Sequence, residues 1–278
     1  MASSPSANAS PSAGLEALSR TLRGFDRLAV AVSGGVDSAF LLRVACDTLG
    51  PGRVTALTAR SRLAPAGELE DAAALCRAVG VRRELVDFEP LAVEGFAGNP
   101  PDRCYLCKRA LFGALLERCA DLHLGPLAEG TNADDALDYR PGLRALRELG
   151  VRSPLLEAGL SKDAIRALSR DLDLPIWDKP GQACLATRFP HGDRITADGL
   201  ARVKAAECLL RDTVPGLRQV RVRVHGPLAR IEVPPETFPS VMAQSARIAS
   251  GLRALGYSFV SLDLDGFRSG SLNPPASP

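Results

Sequence analysis

The chain has 278 residues, of which 46% are hydrophobic, and its 34 basic and 32 acidic side chains leave a formal net charge of +2. This length fits one large domain or two modest ones, with enough apolar residues for a packed core. The small net charge argues against a nucleic-acid binder held mainly by phosphate attraction, and no apolar run approaches the length of a membrane span.

Both ends of the chain have the composition of disordered tails. Residues 1–12 are rich in Ser, Ala and Pro and lack the charged and apolar regions of a secretory signal, and residues 269–278 are rich in Ser and Pro. The seven Cys are odd in number and irregularly spaced, unlike a disulfide framework. We therefore expect a reducing, cytoplasmic location.

Predicted strands and helices alternate along the first half of the chain. The pattern predicts helix 14–23, strand 27–32, helix 38–49, strand 53–59, helix 67–79 and strand 83–88, followed by helix 104–120 and strand 126–129. Such alternation is typical of an α/β fold with a doubly wound, mainly parallel sheet, in which ligands bind at the carboxyl ends of the strands. We place this domain at residues 13–192.

The residues that follow the first strand have the composition of a phosphate-binding loop. The apolar run Leu28–Val32, typical of a buried parallel strand, is followed by Ser33, Gly34, Gly35, Val36, Asp37 and Ser38. Adjacent glycines let the backbone approach an anion, and the next helix points its partly positive N-terminus at that anion. The serines add hydroxyl donors, and the Asp37 carboxylate suits Mg²⁺. An ordinary Gly-Gly turn is the alternative.

This loop differs from two common nucleotide loops. It lacks both the Lys-Ser/Thr pair of the Walker loop and the spaced glycines of dinucleotide-binding folds. Instead it resembles the pyrophosphate loop (PP-loop) of the ATP pyrophosphatase superfamily. That resemblance implies cleavage of ATP between the α- and β-phosphates.

A second polar loop follows the predicted strand 126–129 and is expected at the same edge of the sheet. Its polar residues are predicted to help hold ATP and its Mg²⁺, with Asp135 as a second metal ligand. The nucleotide-binding candidates in this loop are Gly130, Thr131 and Asp134. A plain turn with an Asn or Asp cap is the alternative.

The rest of the chain predicts a smaller α+β domain at residues 193–268. Helix 162–172, capped by Ser161, is followed by an irregular stretch, residues 178–192, whose apolar and aromatic content disfavours disorder. The elements predicted beyond it are helix 196–212, strand 218–224, strand 228–233, helix 236–254 and strand 257–263.

Charged residues alternate with apolar ones on the first strand of this smaller domain. Arg221 and Arg223 point to the face opposite the valines, which predicts either a solvated face with Arg–Glu cross-strand pairs or a site for a small phosphorylated substrate. Glu207 falls on the apolar face of the preceding helix. A carboxylate there needs a partner, and Arg221 or Arg223 could supply one.

Three cysteines stand apart from the others. Cys104 and Cys107 begin a helix, where the dipole favours thiolate, and Cys184 lies in the irregular stretch. The other four fall on or beside apolar helical stripes, typical of small buried side chains: Cys46, Cys76, Cys119 and Cys208. The Cys-x-x-Cys spacing indicates a metal or redox pair, although two helix-start cysteines without a function remain the alternative. A closed zinc site would need a fourth ligand, whereas three thiolates with one open position suit an iron–sulfur cluster that binds an exchangeable sulfur.

A series of motifs extends over nearly the whole chain apart from the tails. In order they are SGGVDS, EGTNADD, DYRPG, CLATRFPHG, RVRVH, LARIEVP and LDLDGFRSG. Together they resemble the LarE family of ATP-dependent sulfur transferases. The resemblance implies a homo-oligomeric enzyme that makes the organic part of the nickel-pincer cofactor of lactate racemase. Its substrate would be pyridinium-3,5-dicarboxylic acid mononucleotide, whose carboxylates become thiocarboxylates.

The resemblance also implies that Cys184 is the sulfur-bearing residue. One subgroup of the family sacrifices this sulfur, is left with dehydroalanine and lacks Cys at the two Cys-x-x-Cys positions. Another has Cys at both positions and carries a [4Fe–4S] cluster on three cysteines. Because this chain has both, the resemblance predicts a cluster on Cys104, Cys107 and Cys184.

These parts predict a reaction in two steps. A substrate carboxylate attacks the α-phosphate of ATP held by Ser33–Ser38 with Mg²⁺ near Asp37, pyrophosphate leaves, and sulfur then displaces AMP. The expected substrate-binding residues are Arg188, Glu207, Arg221 and Arg223, and those expected to offset negative charge are Lys108 and Lys179.

Three other functions fit parts of the sequence. A tRNA thiolase shares the ATP loop and Cys-x-x-Cys chemistry but needs an RNA-binding surface, and no basic extension or RNA-binding motif is visible. A glutamine-dependent ATP pyrophosphatase needs an ammonia source, and no glutaminase segment is present. A nucleotide-binding regulator that kept the fold would release no pyrophosphate with any carboxylate substrate.

Overall fold

A computed structural model of the protein describes residues 11–137, 141–268 and 272. The described backbone forms two compact units, residues 11–61, 67–89, 104–137 and 141–181 in one and residues 62–66, 90–103 and 182–268 in the other. These units reflect backbone packing. They do not test which segments fold together, so the domain boundary expected between residues 192 and 193 stays a prediction.

The first unit is an α/β structure, as the alternating pattern predicted. Its elements are α1 (Pro11–Arg23), β1 (Leu28–Ala31), α2 (Val36–Leu49), β2 (Val54–Arg60), α3 (Glu68–Val79), β3 (Arg82–Asp87), α4 (Arg103–Asp121), β4 (Leu127–Ala128), α5 (Pro141–Glu148), α6 (Pro154–Glu157) and α7 (Lys162–Asp171). The four strands form a parallel sheet in the order β3-β2-β1-β4. The fold class is thus confirmed.

Side chains of β1 pack on both faces of this sheet. Leu28 and Val30 belong to one apolar cluster, with residues of α1, α2 and α7, while Ala29 belongs to a second, with residues of α4. Alternate residues of a strand point to opposite faces, so a strand covered on both sides must be apolar throughout. This burial holds the carboxyl end of β1, where the phosphate loop begins, in a fixed place.

The second unit is built on a small mixed sheet. Its main elements are α8 (Ala197–Thr213), β5 (Arg221–His225), β6 (Leu228–Glu232), α9 (Phe238–Ala243), α10 (Ser245–Ala254) and β7 (Phe259–Leu262). β6 pairs antiparallel with β5 and parallel with β7, and an apolar core including Leu210, Val222 and Leu252 joins the sheet to α8 and α10.

Most predicted elements are present within two residues of their bounds, and the differences have local causes. The predicted helix 236–254 is two helices, because Gln244 leaves the helical region with φ −106° and ψ 12°. β5 begins three residues later than predicted, and α1 starts at Pro11, so residues 11 and 12 are helical where a tail was expected. Some predicted features lie outside the described residues. These are the rest of the expected tails, residues 1–10, 269–271 and 273–278, and Tyr139 and Arg140 of the DYRPG motif. Among the described helices, none is both long enough and apolar enough to span a membrane.

The charged face of β5 is buried rather than solvated. Arg223 and Glu232 are 2% and 0% exposed, and the Arg223 Nε donates to a Glu232 carboxylate oxygen at 2.9 Å. Arg230 approaches the other oxygen of Glu232 at 3.0 Å. The reading of this face as a solvated one is therefore wrong, because elements outside the strand pair cover it. Strand alternation alone cannot reveal such a cover.

We expect the Glu232→Gln variant to lose about 3–5 kcal/mol of unfolding free energy, because it leaves the buried Arg223 guanidinium without its carboxylate. Urea unfolding measures this loss. The matched control is Asp47→Asn, which breaks an exposed pair with Arg43 and should change stability by less than about 1 kcal/mol. Equal effects of the two variants would contradict a structural role for the buried pair.

Candidate functional site

The loop after β1 adopts a backbone conformation that glycine alone accommodates well. Gly34 has a φ of +88°, in the left-handed region. A Cβ atom at Gly34 would also overlap the carbonyl oxygen of Glu68, the first residue of α3. The loop therefore lies against the α3 backbone, and its conformation depends on Gly34 having no side chain.

Two serine hydroxyls close this loop on itself. The Ser38 Oγ accepts from the Ser33 amide at 3.2 Å and donates to the Gly35 carbonyl oxygen at 3.1 Å. The two hydroxyls lie 3.2 Å apart, and the Gly35 amide donates to the Ser33 Oγ at 3.3 Å. Gly35 caps α2 without a side-chain hydrogen bond, and Val36 is the first helical residue. The loop thus brings two hydroxyls and the first amides of a 14-residue helix together, the arrangement that suits an anion.

Lys179 lies at the same loop. Its Nζ donates to the Gly34 carbonyl oxygen at 2.8 Å and pairs with the Asp71 carboxylate at 2.5 Å. The side chain is 15% exposed, and the Lys179 carbonyl oxygen accepts from Arg166. An ammonium ion is therefore held beside the glycine turn, while the expected role of Lys179 in offsetting negative charge stays a prediction. Its acidic partner, on α3, was not predicted.

The second polar loop contacts the first. A Cβ atom on Gly130 would lie only 2.9 Å from the Ser38 amide nitrogen, so this loop packs directly on the first turn of α2. The Asn132 side-chain amide donates to the Asp37 carboxylate at 3.2 Å. The two loops leave β1 and β4, which are neighbours in the sheet, so the expectation that they meet at one edge is confirmed.

The polar residues of the second loop are largely engaged with one another. Asn132 exchanges hydrogen bonds with Asp135, and Lys162 pairs with Asp135 at 2.8 Å. The Asp134 carboxylate accepts from the Lys162 amide at the start of α7. The Thr131 hydroxyl donates to Glu129 at 2.8 Å, a bond that shapes the loop from within.

Asp37 combines burial with a negative neighbour. Burial raises the pKa of its carboxyl group, the charge of Asp135 raises that pKa further, and Lys162 opposes both. A divalent cation would compensate two nearby carboxylates, and carboxylate oxygens are ligands that Mg²⁺ accepts. The residues thus fit the predicted metal. Lys162 and Asn132 were not predicted as site residues, although the position of Asn132 between Gly130 and the two acidic residues was a usable signal.

The cysteines fall into a buried class and a half-buried class. Burial raises the pKa of the Cys46 thiol to about 12 and of the Cys119 thiol to about 11, and raises that of Cys76 as well. The half-buried cysteines are Cys104, Cys107, Cys184 and Cys208. Three of the four cysteines on apolar helical stripes are thus buried, which confirms the expectation that most of them would be. All seven lie in the described part of the chain, and none forms a disulfide.

Cys104 and Cys107 lie one turn apart in the first turns of α4, in the first unit. Tyr105, between them, donates to Glu148 of α5 at 2.6 Å, and the Arg144 guanidinium stacks 3.9 Å from its ring. Lys108 follows, with its ammonium 5.9 Å from the Phe112 ring and its stem against Gly142. α5 therefore packs against the first turns of α4, which contain the Cys-x-x-Cys motif.

Cys184 lies in the second unit, just before a short 3₁₀ turn at Leu185–Arg188. We call residues 183–188 the Cys184 turn. Its carbonyl oxygens are held by arginines: Arg188 NH1 donates to Ala183 at 2.9 Å, and Arg223 NH1 donates to Thr187 at 2.6 Å. The Thr187 hydroxyl also donates to the Cys184 carbonyl oxygen at 2.8 Å. The region that lacked any sequence period is thus a tightly bonded turn.

Glu207 has a different partner from the ones predicted. Its carboxylate accepts two hydrogen bonds from Arg188, at 2.7 and 3.1 Å, and one from the Val222 amide at 3.1 Å. Arg188 is 1% exposed. The prediction that Arg221 or Arg223 is the partner of Glu207 was wrong. The partner is Arg188, which lies in the irregular stretch, and the periodicity of strands and helices cannot predict the position of such a residue. The buried fork–fork pair anchors that turn to α8.

Arg221 is a buried cation without a hydrogen-bonded carboxylate among the described residues. Within the described residues it makes no ion pair, and its guanidinium stacks 4.4 Å from the Phe267 ring. Burial lowers its pKa to about 10, with further lowering from the charges of Arg223 and Arg188, so it remains protonated at neutral pH. The second unit therefore contains an excess of buried positive charge close to the Cys184 turn, which suits an anionic ligand.

The predicted site residues come together in two groups. The first unit joins the two loops at Gly34, Gly130 and Asp37, and the second joins Arg188, Glu207 and Arg223 around Cys184. Across residues 11–137 and 141–268, no group of three or more His, Cys, Asp and Glu side chains is arranged to hold a metal ion.

Comparison with known proteins shows one similarity over part of the chain and others over nearly all of it. A family model described as NAD synthase matches residues 17–98, which contain the phosphate loop. A glutamine-dependent NAD(+) synthetase of Rhodobacter capsulatus is 42% identical over 86 residues, which are 28% of this chain and 16% of that protein. This similarity is thus confined to the region of the loop.

Two other relatives match nearly end to end. The uncharacterized protein slr1717 of Synechocystis is 42% identical over 93% of this chain and 96% of its own. The pyridinium-3,5-bisthiocarboxylic acid mononucleotide synthase of Lactiplantibacillus plantarum is 37% identical over 252 residues, 91% of either chain. With its PP-loop, this chain therefore belongs to the LarE family of ATP-dependent enzymes, which includes that synthase.

Proposed function

We propose that the chain is an ATP-dependent sulfur transferase that converts the two carboxylates of pyridinium-3,5-dicarboxylic acid mononucleotide to thiocarboxylates for the nickel-pincer cofactor. The observation that carries this proposal is the 37% identity, over 91% of both chains, to a synthase named for the bisthiocarboxylic product. The enzyme is proposed to work in the cytoplasm, where thiols stay reduced, and as a homo-oligomer. The likeness to NAD synthetases covers the ATP loop and gives no support to an ammonia-dependent reaction.

The first step is adenylation, because a carboxylate oxygen is a poor leaving group. A substrate carboxylate oxygen bonds to the α-phosphorus of ATP, the α–β phosphoanhydride bond breaks, and pyrophosphate leaves. The Ser33 and Ser38 hydroxyls and the first amides of α2 bind the departing phosphates, and Lys179 keeps Gly34 in the conformation that exposes those amides. Asp37 and Asp135 would hold Mg²⁺, which neutralises phosphate charge.

The second step is sulfur transfer. A sulfur nucleophile attacks the acyl carbon, the carbon–oxygen bond to AMP breaks, and AMP leaves with the bonding electrons. Arg221 and Arg223, buried and positively charged, would bind the anionic groups of the mononucleotide, with Arg188 and Glu207 keeping the Cys184 turn in place. Lys108 is proposed to offset charge that develops on the adenylate.

Cys104, Cys107 and Cys184 are proposed to hold a [4Fe–4S] cluster. The donor chemistry fits, because all three thiols are half-buried and outside disulfides, while Cys46, Cys76 and Cys119 are held neutral by burial. With three protein ligands, the cluster would leave one iron able to bind an exchangeable sulfur.

Anaerobic purification with iron and sulfide analysis, followed by turnover with ATP and the mononucleotide, tests this function. We expect about four irons per chain, release of pyrophosphate and AMP, a thiocarboxylate product and an unchanged protein mass. Cys104→Ala should abolish iron binding but leave ATP binding intact, whereas Cys208→Ala, a half-buried cysteine on α8, should keep its iron. Loss of one H₂S from Cys184 would establish the sacrificial route instead, and no pyrophosphate release would overturn the enzyme function.

Gly34→Ala should weaken ATP binding at least about tenfold, because alanine disfavours a φ of +88° and its Cβ would collide with Glu68. Titration calorimetry with ATP and Mg²⁺ measures the effect. Gly52→Ala is the matched control, since a Cβ atom there meets nothing within 4 Å. Normal ATP affinity in the Gly34 variant would remove this loop from the nucleotide site.

Asp37→Asn should lower kcat about 100-fold or more, yet raise the free energy of unfolding at pH 7. The carboxyl pKa is raised in the folded state, so the ionised group destabilises the fold above that pKa, and this penalty disappears as the pH falls below the ordinary Asp value. Urea unfolding at pH 7 and pH 4 should therefore show a stability gain at pH 7 that shrinks at pH 4. A loss of stability at pH 7 would contradict the sign of this shift.

A further inference from the structure

A buried pair in the second unit, Asn99 and Arg103, reaches the Cys184 turn from a distant part of the sequence. Asn99 is 0% exposed and Arg103 is 4% exposed. Neither belongs to the phosphate loops or to the arginines and glutamates discussed above. Both sit in residues 90–103, a segment that the chain contributes to the second unit some 80 residues before Cys184.

Each polar group of the Asn99 side chain has a partner. Its amide nitrogen donates to the Pro190 carbonyl oxygen at 2.6 Å and to that of Phe189 at 3.3 Å, and its amide oxygen accepts from Arg103 NH1. Its backbone takes the left-handed conformation, with φ +54°, which Asn tolerates better than most residues. Its own carbonyl oxygen accepts from the Gly192 amide at 3.0 Å. Asn99 therefore forms hydrogen bonds with the segment that directly follows the Cys184 turn.

Arg103 completes the contact. The same NH1 group donates to the Ala186 carbonyl oxygen at 3.1 Å, inside the turn itself. Among the described residues Arg103 makes no ion pair, and both hydrogen bonds of its guanidinium come from this one nitrogen and go to neutral oxygens. Burial of a charge without a carboxylate is costly. Such a residue contributes less to stability than an apolar side chain of the same size would, which makes a purely structural role a poor explanation for it.

The carbonyl oxygens of the Cys184 turn show what the arginine does. Those of Ala183, Ala186 and Thr187 accept from three different guanidinium groups, which belong to Arg188, Arg103 and Arg223. Arg188 and Arg223 are themselves held by Glu207 and Glu232. Of these three arginines, Arg103 differs in that it is held by the side-chain amide of Asn99 instead of a carboxylate.

We propose that Asn99 and Arg103 are positioning residues that fix the main chain of the Cys184 turn, and so the direction of the Cys184 thiol, for sulfur transfer. This rests on the proposed function in that Cys184 is taken as a reacting residue. Arg103 is also the residue directly before Cys104 in the sequence.

The test compares Arg103→Met, Arg103→Lys and Asn99→Gly with the parent protein. Methionine keeps the length and loses the charge, lysine keeps the charge and loses the fork, and glycine keeps the left-handed backbone and loses the amide. Arg253→Met, on an exposed position of α10, is the matched control. Thermal unfolding establishes that each variant is folded.

The decisive measurement is the alkylation rate of Cys184 by iodoacetamide at fixed pH, followed by peptide mass spectrometry in a Cys104→Ser, Cys107→Ser background. Cys184 should react at least about tenfold faster in Arg103→Met and Asn99→Gly than in the parent protein, with Arg103→Lys in between. A change of about tenfold is the factor expected for the loss of a hydrogen bond from a charged group that holds the turn in place. A rate within about twofold of the parent, or a slower one, in folded protein overturns the proposal.

Turnover in the otherwise unsubstituted chain gives the second readout. Both variants should lower kcat and leave the KM for ATP unchanged, because the nucleotide loop does not involve them. A changed ATP KM with unchanged kcat contradicts a role at Cys184. The alkylation rate needs neither ATP nor substrate, so a chain that fails to transfer sulfur can still show the predicted rates, and the two failures are distinguishable.

Discussion

The nucleotide half of this protein depends on two places where one stretch of backbone lies against another only because a glycine has no side chain. Gly34 lets the loop after β1 rest on the start of α3, and Gly130 lets the loop after β4 rest on the first turn of α2. A Cβ atom at Gly34 would collide with the Glu68 carbonyl oxygen, and one at Gly130 would crowd the Ser38 amide nitrogen. The serine hydroxyls, Asp37 and Lys179 all take their positions from these two contacts.

A different constraint operates in the second unit. There the turn that carries Cys184 has little regular structure of its own, and guanidinium groups anchored by carboxylates or by an amide hold its carbonyl oxygens. Hydrogen bonds from charged donors are among the stronger ones inside proteins. A turn built this way can present one thiol in a defined direction, while the charge that holds it also favours an anionic ligand.

The parts of the structure that follow from local rules were predictable. Buried parallel strands, a Gly-Gly loop before a helix and the fold class could all be identified because each depends on neighbouring residues. The partner of Glu207 could not, since Arg188 reaches it from an aperiodic turn. The burial of Arg223 and Glu232 was missed for a related reason, because the alternation that identified their strand says nothing about what covers the outer face. Asn99 gave no signal at all, since its side-chain amide nitrogen donates to residues about 90 positions away.

The three cysteines packed into apolar surroundings, Cys46, Cys76 and Cys119, have a consequence for a protein that handles labile sulfur. Their thiols keep the proton at any physiological pH, since burial raises the pKa of each and those of Cys46 and Cys119 reach about 12 and about 11. A protonated thiol is a poor nucleophile and a poor iron ligand. Burial in apolar surroundings is therefore enough to keep these three of the seven thiols protonated and weakly nucleophilic.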